Sequence, residues 1–160
     1  MKMLQMQSDS TEMTEKIGEA VGISIFPGTV VALDGDLGAG KTVFTRGIAR
    51  GMGIRDDMRS PTYTILIEHP NVDGGPALYH FDTYRLEGED DFIAAGLDEY
   101  FDQDAVCVVE WSEKINNLLP HETIRVRIKG TGDVRDISIM LPEKNIKQNT
   151  ALEAALAHYI

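Results

Sequence analysis

Residues 29–42 read Thr-Val-Val-Ala-Leu-Asp-Gly-Asp-Leu-Gly-Ala-Gly-Lys-Thr, an apolar hexamer running directly into a glycine-rich octamer. Thr29–Asp34 is rich in β-branched residues and bounded by Pro27-Gly28 and Gly35, which predicts a short buried strand. Residues 35–42 match the phosphate-binding pattern G-x-x-x-x-G-K-[ST] at Gly35, Gly40, Lys41 and Thr42. Glycines let the backbone curl so that several N–H groups point inward at phosphate oxygens, and the following helix adds the positive end of its dipole. Lys41 is placed to reach the β- and γ-phosphates, and the Thr42 hydroxyl to ligate Mg²⁺. Val43, Phe44, Ile48 and Met52 follow near helical spacing, and Gly51 and Gly53 mark a stop. Strand, loop and helix in that order predict a triphosphate site.

Composition narrows the class. The 160 residues are 42% hydrophobic, enough for one globular domain with a sizeable core. Apolar runs are too short to span a membrane, and Met1–Ser10 has neither a basic nor an apolar signal region, so no secretory signal is expected. The single cysteine, Cys107, lies within an apolar run and fits a buried core residue in a reducing cytoplasm. Four histidines show no metal-ligand spacing. Net charge is −11, and ten carboxylates with no Lys or Arg fall between Leu86 and Glu113. Such a surface repels phosphate backbones, so direct nucleic-acid binding is not expected. The acidic stretch reads either as a solvated face or as a docking face for a basic protein.

Around the loop, Thr11–Val21 has the stripe Met13, Ile17, Ala20 and Val21, an amphipathic helix capped by Asp9 or Ser10. Thr64–Glu68 and Ala77–Asp82 read as strands joined by the turn-rich segment Pro70–Pro76, too short for a parallel crossover and therefore antiparallel. Phe92, Ile93, Gly96, Leu97, Tyr100 and Phe101 form a helical stripe in the acidic segment. Ala105–Glu110 predicts a fully buried strand, whereas Thr123–Ile128 and Arg135–Met140 alternate and predict half-exposed ones. Thr150 and Glu153 form a capping-box pattern for a last helix over Thr150–Ile160. A mixed α/β sheet is expected, parallel in part and antiparallel in part, flanked by helices.

A phosphate loop needs a second acid at the end of a neighbouring strand. Glu110 and Asp82 both qualify; Glu110 follows the more apolar run, whereas His80, Asp82 and Tyr84 share one face at period two. Ser60-Pro61-Thr62-Tyr63 is placed to approach the γ-phosphate, although a loop threonine also serves as an ordinary local cap. Trp111 reads more readily as core or surface packing than as a functional residue. No [NT]-K-x-D segment is present, which disfavours a GTPase; Arg46, Arg50, Arg55 and Arg59 cluster after the loop, and the exposed face of the helix accounts for the first three better than a kinase lid.

The ordered series GDLGAGKT (35–42), Arg46-Gly47, SPTY (60–63), HFDTYRL (80–86), Gly96 with Glu99-Tyr100, and EWSE (110–113) closely resembles the TsaE (YjeE) family over about residues 10–140. The resemblance implies a compact P-loop NTPase-like fold, ATP and Mg²⁺ as ligands, ADP as product and weak ATP hydrolysis by the protein alone. It implies a cytoplasmic partnership with TsaB and TsaD, in which TsaD transfers the threonylcarbamoyl group to the adenosine beside the tRNA anticodon. By position, Gly35, Asp36, Leu37, Gly38, Ala39, Gly40, Lys41, Thr42 and Val43 would bind nucleotide, with Gly38–Val43 on the phosphates. Thr42 and Glu110 would hold Mg²⁺, and Asp82 would orient the attacking water. Thr62 matches a switch-like threonine, and Trp111 stands beside the magnesium acid. The adenine pocket would draw on Ser10 or Thr11 and on Arg135. The implied domain is the whole chain, 1–160, with a helical extension over 143–160 beyond the shared motifs. A small-molecule kinase and a nucleotide-gated binding module are the competing functional classes.

Overall fold

In a computed structural model of the chain, residues 2–36, 38–55, 65–130 and 132–160 are described. The predicted strand before the glycine loop is present as β2 (Val30–Gly35), and the buried strand ending in the second acid as β5 (Val106–Glu110). The two pair in parallel, with Leu33 opposite Glu110. β6 (Ile124–Lys129) flanks β2 on its other side, also parallel, and β4 (Leu78–Asp82) flanks β5 in parallel. These four strands make the buried parallel centre of the sheet, and helices cover both its faces.

The outer strands are antiparallel. β3 (Leu66–His69) pairs with β4 as a hairpin, as the short connector requires, and β7 (Arg135–Leu141) pairs with β6. A strand not anticipated from sequence, β1 (Lys2–Ser8), completes the order β1-β7-β6-β2-β5-β4-β3. Its alternation buries Leu4, Met6 and Ser8 and exposes the residues between them.

On one face lie α1 (Thr11–Ser24), α2 (Lys41–Gly51) and α4 (Ile146–Leu156), packed on Val31, Leu33, Val108 and Val126. On the other lie α3 (Glu89–Ala94) and the 3₁₀ turn Leu97–Asp102, which bring Phe92, Leu97 and Phe101 onto Phe81 and Val109. The acidic stretch is therefore amphipathic: its aromatic residues close the second core, and its carboxylates from Glu87 to Asp104 lie at or near the surface, while Glu110 at the end of β5 is buried. Cys107 lies in this core, and burial pushes its thiol up to about 12. Ser10 resolves the choice of cap for α1, accepting a hydrogen bond from the Met13 amide (3.0 Å). The last helix starts earlier than the capping-box pattern indicates. Asn145 stands at its head, so Thr150 and Glu153 lie inside it, and Gln148 Oε1 ties it to the segment leading into β2 through the Phe26 amide (2.6 Å) and the Thr29 hydroxyl (2.8 Å). Among the described residues no helix is long and apolar enough to cross a membrane.

The helix that follows the glycine loop is seated by an unusually close crossing. Gly18 and Gly22 of α1 face Gly47 and Gly51 of α2. A Cβ on Gly18 or Gly22 would strike the Phe44 or Ile48 carbonyl oxygen, and one on Gly47 or Gly51 the Glu15 or Glu19 carbonyl oxygen. Backbone therefore lies on backbone, with no side chain able to yield. Gly47→Ala should lower stability by at least about 1–3 kcal/mol, the usual cost of overpacking. Gly88→Ala, whose methyl meets nothing within 4 Å, should stay within about 0.5 kcal/mol. Urea midpoints at constant m-value test the pair.

Candidate functional site

The sheet order sets the site. β2, β5 and β4 are parallel neighbours, so their C-terminal ends deliver the loop, Glu110 and Asp82 to one edge, with Asp82 directly opposite Glu110 in the register. A ligand crevice outside the carboxyl ends of strands is the general position in open α/β sheets.

In the loop, the Ala39 amide donates to Asp36 O (3.0 Å), and Gly38 and Gly40 turn through φ +81° and +101°. Residues with side chains rarely adopt that left-handed region. At Gly38 the space a Cβ would fill is clear for 4 Å, so the cradle is open on that side. Gly40 heads α2 without a side-chain cap, leaving the first-turn amides of Lys41, Thr42 and Val43 without helical acceptors. Donors of this kind at a helix N-terminus suit an anion.

Lys41 does not extend into solvent. It is 6% exposed, and its Nζ donates to Gly35 O (2.8 Å) while standing 4.0 Å from Glu110 Oε1 and 4.3 Å from the centre of the Trp111 ring. Glu110 is 4% exposed, and its other oxygen, Oε2, is 2.6 Å from His80 Nε2. Burying such charges is unfavourable unless they are paired, and here they are paired only in part. On the far side of the loop, Arg135 donates through Nε to Ala39 O (2.9 Å) and through Nη2 to Gly38 O (3.3 Å). A small cleft there is lined by Ser10, Thr11, Ala39, Gly40, Val43 and Arg135. The structure thus brings Ser10, Thr11 and Arg135 to the loop from one side, and Glu110, Asp82 and Trp111 from the other. Leu37, Thr62 and the rest of Ser60–Tyr63 lie outside the described residues.

The family model described as "Threonylcarbamoyl adenosine biosynthesis protein TsaE" matches residues 8–137, a span that takes in every element of this site. The chain belongs to the TsaE family. The protein of that name from Bacillus subtilis is 45% identical over 133 residues, 83% of this chain and 82% of its own. The Haemophilus influenzae protein is 42% identical over 120 residues, 75% and 74% of the two chains. The crystal structure of Bacillus subtilis YdiB superposes with a TM-score of 0.80 at 36% identity, covering 98% of this chain and 96% of that one.

Within this TsaE-family site, several residues that sequence reasoning passed over hold the Glu110–Trp111 turn. Trp111 has φ +58°, a left-handed conformation that costs a non-glycine residue about 1–3 kcal/mol. Thr83 Oγ1 donates to Trp111 O (2.6 Å) and Glu110 O (3.1 Å). Asp34, the last β2 residue before Gly35, accepts from both the amide (2.8 Å) and the hydroxyl of Ser112. The Tyr84 ring packs against Trp111 in a tilted contact, 4.9 Å between ring centres. Tyr84 thus leaves the face it was expected to share with His80 and Asp82, because β4 ends at Asp82 and the chain turns. Replacing Thr83 with Val strips a donor from two carbonyls and should cost about 1–3 kcal/mol, with a shift in emission of Trp111, the chain's single tryptophan, reporting its release.

Asp82 is half-buried, and burial holds its carboxyl above the ordinary range. Glu110 reinforces the shift, while the Tyr84 amide, Lys41 and His80 oppose it. The sign follows directly. With the folded-state pKa raised, the unfolded chain loses this proton first, so stability falls as pH rises from the unfolded value through the folded one. The cost is fully present once the carboxyl is ionised in both states. Asp82→Asn should therefore raise Tm at pH 7, and the gain should vanish as the pH falls to about 4, the ordinary carboxylate value; calorimetric melts across that range check it.

Proposed function

We propose that this chain is the ATP-hydrolysing subunit of tRNA threonylcarbamoyladenosine formation, weakly active alone and working with TsaB and TsaD. The observation that carries the reading is the pair of buried opposite charges, Lys41 and Glu110, 4.0 Å apart at the mouth of the glycine loop. Two charges brought out of water yet left short of a direct hydrogen bond are poorly compensated by each other. A triphosphate and a divalent cation supply what each lacks.

The residues present fit both groups. The open cradle at Gly38 and the free amides of Lys41, Thr42 and Val43 would take phosphate oxygens, with Lys41 turning from Gly35 O toward them. The Thr42 hydroxyl and Glu110 carboxylate would hold Mg²⁺, whose charge offsets that of the phosphates during transfer. Asp82, opposite Glu110 and held partly basic by burial, is the group to orient the attacking water. The cleft lined by Ser10, Thr11, Gly40 and Arg135 would take the nucleoside. Positioning and charge neutralisation are most of what phosphoryl transfer asks of a protein.

Lys41→Ala should abolish ATP and ADP binding by calorimetry. Glu110→Gln should still bind nucleotide but release phosphate about 10²–10³-fold more slowly, the size of effect from deleting one electrostatic contact in a transition state. TsaB and TsaD together should raise wild-type turnover, and tRNA modification in the reconstituted system should fail with either variant. Wild-type phosphate release from Glu110→Gln defeats the reading. Labelled phosphate appearing on an acceptor instead of in water would mark a kinase.

A further inference from the structure

Glu110 presents its two oxygens to different partners. Oε1 faces Lys41 Nζ across 4.0 Å, while Oε2 lies 2.6 Å from His80 Nε2. His80 is entirely buried in β4, two residues before Asp82 and on the strand beside Glu110. Its other nitrogen, Nδ1, has no hydrogen-bond partner among the described residues. A carboxylate only accepts, so Nε2 carries the hydrogen and donates it to Oε2. The backbone leaves little freedom in the matter: β4 and β5 are locked in register from Leu78–Val106 to Asp82–Glu110, which sets where both side chains start.

We infer that His80 is a positioning residue that occupies one oxygen of Glu110, so that this acid offers a cation a single oxygen and the site selects Mg²⁺ over larger divalent ions. The inference rests on the reading of Glu110 as the metal acid. Mg²⁺ demands near-octahedral geometry and is bound through single carboxylate oxygens and retained waters. Ca²⁺ takes six to eight oxygens and readily accepts both oxygens of one carboxylate. A carboxylate with one oxygen held by a buried donor serves the first ion and hinders the second. Outer-shell donors of this kind typically change metal affinity about 10–100-fold when removed.

Two amide variants separate the donor from the bulk of the side chain. In His80→Gln the new amide nitrogen would fall at the position of the imidazole Nε2, the same number of bonds from the backbone. In His80→Asn it would fall one bond short, near the position of Nδ1. The experiment measures ADP binding by isothermal calorimetry to wild type, His80→Gln and His80→Asn, each in Mg²⁺, in Ca²⁺ and in a chelator. Wild type should bind ADP more tightly with Mg²⁺ than with Ca²⁺ or chelator. His80→Gln should keep most of that preference. His80→Asn should lose about 10-fold or more of the Mg²⁺ gain, raise its relative response to Ca²⁺, and bind ADP in chelator as wild type does. An unchanged Mg²⁺-to-Ca²⁺ ratio in His80→Asn overturns the inference, and so does equal loss in both variants. Weaker binding by His80→Asn in chelator means that His80 supports the loop and not the metal acid, which also overturns it. A wild type whose ADP affinity ignores Mg²⁺ fails a different claim, the assignment of Glu110 itself.

Discussion

A buried ammonium and a buried carboxylate, side by side at the end of the central strands, are the constraint on which this molecule is organised. Neither charge is tolerable out of water alone. Lys41 leans on the Gly35 carbonyl and the Trp111 ring, and Glu110 leans on His80. Each of those supports is itself positioned by something else. Parallel pairing of β2 with β5 sets Leu33 beside Glu110, so the loop that follows Gly35 passes over the acid. Pairing of β5 with β4 sets His80 and Asp82 alongside. The strained Trp111 turn is held by Thr83 from one strand end and by Asp34 from another. Three strand ends thus converge on one small polar cluster, and the sheet order is what allows it.

The elements written in local pattern were legible. The apolar hexamer before Gly35, the buried run ending at Glu110 and the alternating pair β6 and β7 each announce themselves within a few residues. So does the antiparallel relation of β3 and β4, because a short connector permits nothing else. β1 was not legible: its Met and Gln residues carry little strand propensity, and the strand exists because β7, more than a hundred residues away, supplies its partner. The start of α4 was misplaced for a related reason. Thr150 and Glu153 imitate a capping box, yet the helix is fixed from outside, by Gln148 reaching the entry to β2.

The same division runs through the site. The loop, Glu110 and Asp82 are recognisable by type and spacing. The supporting residues are not, because Asp34, Thr83, Ser112 and His80 are ordinary polar residues until tertiary structure tells them what to hold. His80 interrupts an apolar strand and reads there as a flaw. Its meaning comes from register across to β5, which no local window contains.

The glycine crossing between α1 and α2 bears on how the site comes into being. Glycine inside a helix is less favourable than alanine by roughly 0.8–1.0 kcal/mol at each position, and the crossing places two in α1 and two in α2. Helices of 14 and 11 residues so weakened have little tendency to form by themselves. Each becomes helical when it docks on the other, where the missing side chains turn from a defect into the means of contact. The amides at the head of α2 therefore point inward only once α1 is in place. The glycine loop at the head of α2 is therefore expected to take shape together with the α1–α2 contact, and not ahead of it.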